Sequence, residues 1–172
     1  MQNWMTASVW VALTSTALAV DAGQILEQAE AIRNPPVDYK VNVLVEDEAA
    51  GKKMVHTYET MIKGRDKALV NYVSPASEEG KKVLMVENDM WFFSPSSAKP
   101  IRISPQQKMH GNAAMGDVAR LNFIGNYKAV FKKTDKFEGK DVHILELKAI
   151  EGRPVTYAQI EYWIDAKNSQ PV

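Results

Sequence analysis

The hydrophobic pattern changes period once near the N-terminus, and that change organises the reading. From Gly23 to Arg33, Ile25, Leu26, Ala29 and Ile32 recur at helical spacing and predict one amphipathic helix of about three turns. Asn34-Pro35-Pro36 ends it, because a residue before proline is pushed out of the α region. From Asp38 the period falls to two. Tyr39, Val41, Val43 and Val45 then share one face of a strand, with Lys40, Asn42 and Glu46 on the other. After a turn over 47–51, Met54, His56, Tyr58, Thr60 and Ile62 form one face of a second strand. Further strands are predicted over 68–73 and 81–87, separated by hairpin-length turns and one Pro- and Gly-containing loop, which together indicate an antiparallel meander.

The centre of the chain is the aromatic run Met90-Trp91-Phe92-Phe93, strongly β-prone. Ser94-Pro95-Ser96-Ser97 breaks it, and Ile101-Arg102-Ile103 returns as a short strand with one wet face. Ser104 to Asn126 is the one long interruption. Pro105 suits the first turn of a helix there, while Gly111, Gly116 and Gly125 keep any helix short. Asp117, as an N-cap or first-turn acid, opens a weak amphipathic piece carrying Val118, Leu121 and Phe123-Ile124. Strands resume over 127–137, 141–149 and 157–165, the last apolar or aromatic on both faces.

Length and charge narrow the class. The chain has 172 residues, enough for one domain with a real core, and its 21 basic and 21 acidic residues give no basic footprint for nucleic acid. The absence of cysteine removes disulfides, thiolate metal sites, cysteine nucleophiles and a lipidated N-terminal cysteine. Residues 1–19 read as a signal peptide: Val9 to Leu13 is an apolar centre far shorter than a membrane span, and Ala17-Leu18-Ala19 is an A-x-A cleavage pattern, with an alternative end at residue 22. Residues 20–172 then form a single exported domain.

No catalytic constellation emerges. His56, His110 and His143 stand apart, without metal-ligand spacing. Ser96-Ser97-Ala98-Lys99 matches S-x-x-K by letter alone, lacks its partner motifs and falls in a turn. Lys132, Lys133, Lys136 and Lys140, interrupted by Asp135 and Glu138, read as a solvated hairpin. The expectation is a protein that is not an enzyme and carries no cofactor or metal. What remains is a sheet, an amphipathic helix, and an apolar segment flanked by Met109 and Met115, residues able to repack around variable apolar shapes.

NDMWFFSPSSAKPIRISPQQ, the Gly116-Asp117 pair, AEAIRNPPVDYKV and the terminal IEYWIDAKNSQPV together resemble the outer-membrane lipoprotein-sorting protein family, the LolA-like periplasmic half-barrels. The resemblance spans essentially the whole chain after the signal segment. It implies a mainly β, α+β fold: an unclosed antiparallel β-barrel with a helical lid over the concave face, and an apolar cavity for acyl chains. It further implies a periplasmic carrier for lipoprotein acyl chains or another lipid, exchanging with an inner-membrane transporter and an outer-membrane acceptor. The family continues past N-x-x-P-V, so further strands are expected after Val172. An accessory handing an apolar molecule to a membrane transporter, or an envelope-stress sensor module, are the alternatives. With the lid taken as Gln106 to Ile124 plus the N-terminal helix, the expected lipid-binding residues are Tyr39, Val41, Val43, Val45, Tyr58, Trp91, Phe93, Met109, Met115, Val118, Leu121 and Phe123.

Overall fold

A computed structural model describes residues 21–49 and 51–172; the expected signal peptide, residues 1–19, lies outside the described residues. The first helix, α1 (Ala22–Arg33), is capped by Asp21, whose carboxylate accepts the Gly23 and Gln24 amides. Its buried face differs from the expected one. Leu26 and Ala29 are buried, but Ile32 is 46% exposed and Glu30 is fully buried in its place. The reason is pairing: Arg33 and a backbone amide satisfy the Glu30 carboxylate, so a charge can lie where an apolar residue was expected.

Six strands follow as an antiparallel meander: β1 (Tyr39–Ala49), β2 (Lys52–Lys63), β3 (Lys67–Ser74), β4 (Lys82–Val86), β5 (Asp89–Phe93) and β6 (Ile101–Ile103). The first turn is tighter than its sequence suggests, since β1 runs through Asp47 to Ala49 and pairs there with Lys52. A second, three-stranded sheet is built from β7 (Tyr127–Phe137), β8 (Lys140–Ala149) and β9 (Gln159–Asp165). Among the described residues no strand pairing joins the two sheets, so the barrel is unclosed. Both sheets nevertheless contribute to one core, with Val70, Met85 and Met90 from the first and Leu145, Leu147 and Ile164 from the second.

Between the sheets runs the segment 104–126. It contains a single helical turn, α2 (Met115–Val118), in which Asp117 is a first-turn acid accepting the Ala114 amide at 3.1 Å. Pro105 starts a turn rather than a helix. Gly116 is buried so tightly that a β-carbon there would overlap the Thr156 hydroxyl and press on Pro105. The lysine-rich β7–β8 hairpin is solvated, with Lys133 bridged to Asp135 at 2.5 Å and Lys136 to Asp141 at 3.0 Å.

Candidate functional site: a covered concave face

Strand register assembles the inner face of the large sheet in three rows. Tyr39, Ile62, Ala68, Met85, Met90 and Ile103 face one another across all six strands, as do Val41, Thr60, Val70, Val83, Phe92 and Ile101. Val43, Tyr58 and Tyr72 make a shorter third row. The surface is apolar because each strand alternates and the hairpins hold the alternations in phase.

The segment 104–126 and α1 cover this face. Met115, Val118 and Leu121 are buried against it, Met109 and Phe123 partly so. Thr60, buried in the sheet, donates its hydroxyl to the Val118 carbonyl at 3.1 Å. Phe123 packs edge-on against Tyr127 and Tyr162 at 5.4 and 5.5 Å.

Where α1 meets β1, a polar network fixes the cover. Glu30 accepts the Phe123 amide at 2.9 Å and an Arg33 nitrogen at 3.0 Å, while the same arginine donates to the Leu121 carbonyl at 2.7 Å and lies 3.9 Å over the Phe123 ring. Asn34 donates to the Arg120 carbonyl at 3.2 Å and accepts the Tyr39 hydroxyl at 2.8 Å. Arg120 donates to that same hydroxyl at 3.0 Å and to the Arg33 carbonyl.

The opposite end is held differently. The His110 ring, on the cover, stacks on His56 of β2 with centroids 3.4 Å apart and planes 9° apart. His56 is 3% exposed, and neither of its ring nitrogens has a partner; the Tyr58 hydroxyl is also buried without one. Burial, reinforced by neighbouring Glu78, pushes Tyr72 up to about 12, and burial likewise raises Tyr58, so both phenols stay protonated in the physiological range. Beside them a cavity of about 190 Å³ lies between Tyr72, Phe92, Ile103, Met109, His110 and Met115. Glu78 and Lys81, paired at 2.6 Å, stand at its edge.

His110 is expected to make stability pH-dependent. Burial and the adjacent His56 ring hold its pKa below the ordinary imidazole value, outweighing Glu78 and Asp47. A depressed folded-state pKa means that the unfolded chain binds the proton more readily. The contribution is therefore complete above pH about 6.5 and is lost as pH falls from there through the folded value. The urea midpoint is expected to drop across that window, and His110→Phe to flatten the drop. An identical pH profile in the variant would remove His110 as the cause.

The structure distributes the sequence-derived candidates unevenly. Tyr39, Val41, Val43, Val45 and Tyr58 lie on the concave face, and Met109, Met115, Val118, Leu121 and Phe123 on its cover. Trp91 and Phe93 do not join them. Trp91 pairs with Leu84 and Phe93 with Lys82 on the convex face, while Met90 and Phe92 turn inward. Four successive apolar residues give no alternation from which to choose the face, and a one-residue shift inverts it. The His56–His110 contact, spanning 54 positions, has no local signature at all. Among the described residues, no three His, Asp or Glu side chains are grouped to hold a metal.

This architecture has solved counterparts. A LolA superfamily protein from Nitrosomonas europaea is 37% identical, with a TM-score of 0.80 over 89% of this chain and 70% of that one. The chain belongs to the LolA superfamily. A family model described as "Uncharacterized protein" matches residues 64–172. A DUF1329 family protein from Desulfovibrio piger shares the fold at 19% identity, with a TM-score of 0.72 over 87% of this chain and 70% of its own. A putative outer membrane lipoprotein-sorting protein domain from Vibrio parahaemolyticus does so at 20%, with a TM-score of 0.70 over 87% and 68%. No curated protein matches. The two unclosed antiparallel sheets match the LolA-like half-barrel.

Proposed function

We propose that this protein is a periplasmic carrier that shields acyl chains, of lipoproteins or of another lipid, between its concave face and the 104–126 cover. The observation that carries the reading is a continuous apolar sheet face covered by an irregular segment rather than by another sheet. Such a cover is held by separable contacts at its two ends, the Glu30–Arg33 network and the stacked histidines. The superfamily relationship and the sorting role stated for the Vibrio domain support it.

The energetics fit. Each methylene removed from water is worth about 0.8 kcal/mol, so acyl chains cross an aqueous compartment only when shielded. The cavity of about 190 Å³ has the volume of roughly six waters at ~30 Å³ each, too little for a long chain. Cargo therefore enters as the cover lifts and exposes the full inner face. Lipoprotein release by an inner-membrane transporter and delivery to an outer-membrane acceptor are the exchange steps this requires.

Native mass spectrometry of protein purified from cells is expected to show co-purifying lipid. After delipidation, a fluorescent acyl probe should bind saturably. Neither adduct nor saturable binding would overturn the reading.

A further inference from the structure

A second cavity, of about 210 Å³, lies at the end of the half-barrel where α1 meets β1, and its chemistry is opposite to that of the concave face. Four loops build it. The β2–β3 turn supplies Arg65, the β4–β5 turn Asn88, the end of the cover Asn122 and Asn126, and the β8–β9 connection Arg153. Asn88 and Asn126 exchange side-chain hydrogen bonds at 2.6 and 3.3 Å. Asn88 also donates to the Pro154 carbonyl at 3.1 Å, and Asn126 to the Asn122 carbonyl at 2.8 Å. Three of the four loops are thereby tied to one another, which gives the cavity fixed walls.

The Asn88 and Asn126 amides are spent on these ties, but three other donors lining the cavity, Arg65, Arg153 and the Asn122 amide, are not. Among the described residues neither Arg65 nor Arg153 has a carboxylate within ion-pair distance. Arg65 is half-buried, and its Nε is sealed from water, so the terminal guanidinium nitrogens, which have no hydrogen-bond partner among the described residues, are the ones left for a ligand. A guanidinium carries donors and no acceptor, so unmatched terminal nitrogens at a cavity wall suit an acceptor there. The Asn122 side chain spends its oxygen on the Ile124 amide at 3.1 Å and keeps its NH₂ free. Two carboxylates, Asp66 and Glu87, also border the cavity, but both residues are exposed and solvated. Arg65 and Asn122 are half-buried in the wall, while Arg153 lies with the two acids at the exposed rim.

We propose that this four-loop pocket binds a phosphate group. The planar guanidinium fork matches tetrahedral phosphate oxygens in paired hydrogen bonds. The volume is that of roughly seven waters at ~30 Å³ each, enough for a phosphate with a small ester substituent and too small for an acyl chain. The phosphate can be free or part of a lipid headgroup, and the site stands apart from the acyl-carrier reading.

The test is calorimetric titration of the full chain at constant ionic strength. The ligands are inorganic phosphate, glycerol phosphate, dihexanoyl phosphatidylglycerol and, without phosphate, dihexanoylglycerol. Saturable binding of the first two is expected if free phosphate is the ligand, and of the phosphatidylglycerol alone if the headgroup is. In either case Arg65→Gln should weaken binding at least tenfold, Arg153→Gln less, and Glu87→Gln should tighten it severalfold by removing a repelling charge. Arg153 and Glu87 are exposed, so those two variants keep the test valid should Arg65→Gln fail to fold. No binding by any phosphate ligand, affinities unmoved by Arg153→Gln and Glu87→Gln, or equal binding of dihexanoylglycerol would each overturn the proposal. The last outcome would still leave the acyl-carrier reading standing.

Discussion

Arg33→Met is expected to lower stability by about 3–5 kcal/mol, the cost of leaving a buried ionic partner uncompensated. Glu30 is 0% exposed and would retain only the Phe123 amide as a donor. The substitution also removes the donor to the Leu121 carbonyl and the cation over the Phe123 ring. In a domain of this size, each kcal/mol moves the melting temperature by roughly 2–4 °C, so a fall of about 10 °C should be read. The double variant Glu30→Leu/Arg33→Met separates stability from anchoring. An apolar pair of similar volume often restores stability or exceeds it. Yet the Leu121 carbonyl and the Phe123 amide would still lack their partners, so amide hydrogen exchange over 118–124 should stay fast although the melting temperature recovers. A single variant as stable as the parent would show that Glu30 finds its partners elsewhere.

That network also lies beyond what local sequence pattern specifies. The helix, its Asn-Pro-Pro end and the strand alternation from Tyr39 to Val45 were legible, because each is set by residues a few positions apart. Burial of Glu30 in place of Ile32 was not. It depends on Arg33 and on an amide 93 positions away, and an apolar-stripe argument gives a buried charge no place. Trp91 and Phe93 failed for a different reason. Their run is apolar on both faces, so the hairpin register with Leu84 and Lys82 decided the side, and the sequence alternation did not. Met90 and Phe92 would have been found by carrying the concave rows across from β1, since each antiparallel partner shares its face. The concave face was thus recoverable wherever register could be propagated through short hairpins. It was lost where the long 104–126 segment brings distant residues together, as with His56 and His110.

The same segment yields the prediction that joins packing to function. Leu121 is 2% exposed, and Leu121→Gln is expected to cost about 2–4 kcal/mol in the empty protein, from lost apolar burial and an amide without a partner. A cover that lifts to admit cargo changes this arithmetic, because in the loaded state residue 121 reaches water and the amide is solvated. The penalty should therefore shrink when a saturating acyl ligand is present. By linkage, whatever part of the penalty disappears must return as affinity, tenfold for every 1.4 kcal/mol. The variant is thus expected to melt earlier than the parent when empty, to gain more from ligand, and to bind the acyl probe more tightly. Paired melting curves and probe titrations measure both sides of the cycle. A penalty that is the same with and without ligand would mean that the segment stays down, and the concave face would then be core rather than a cargo site.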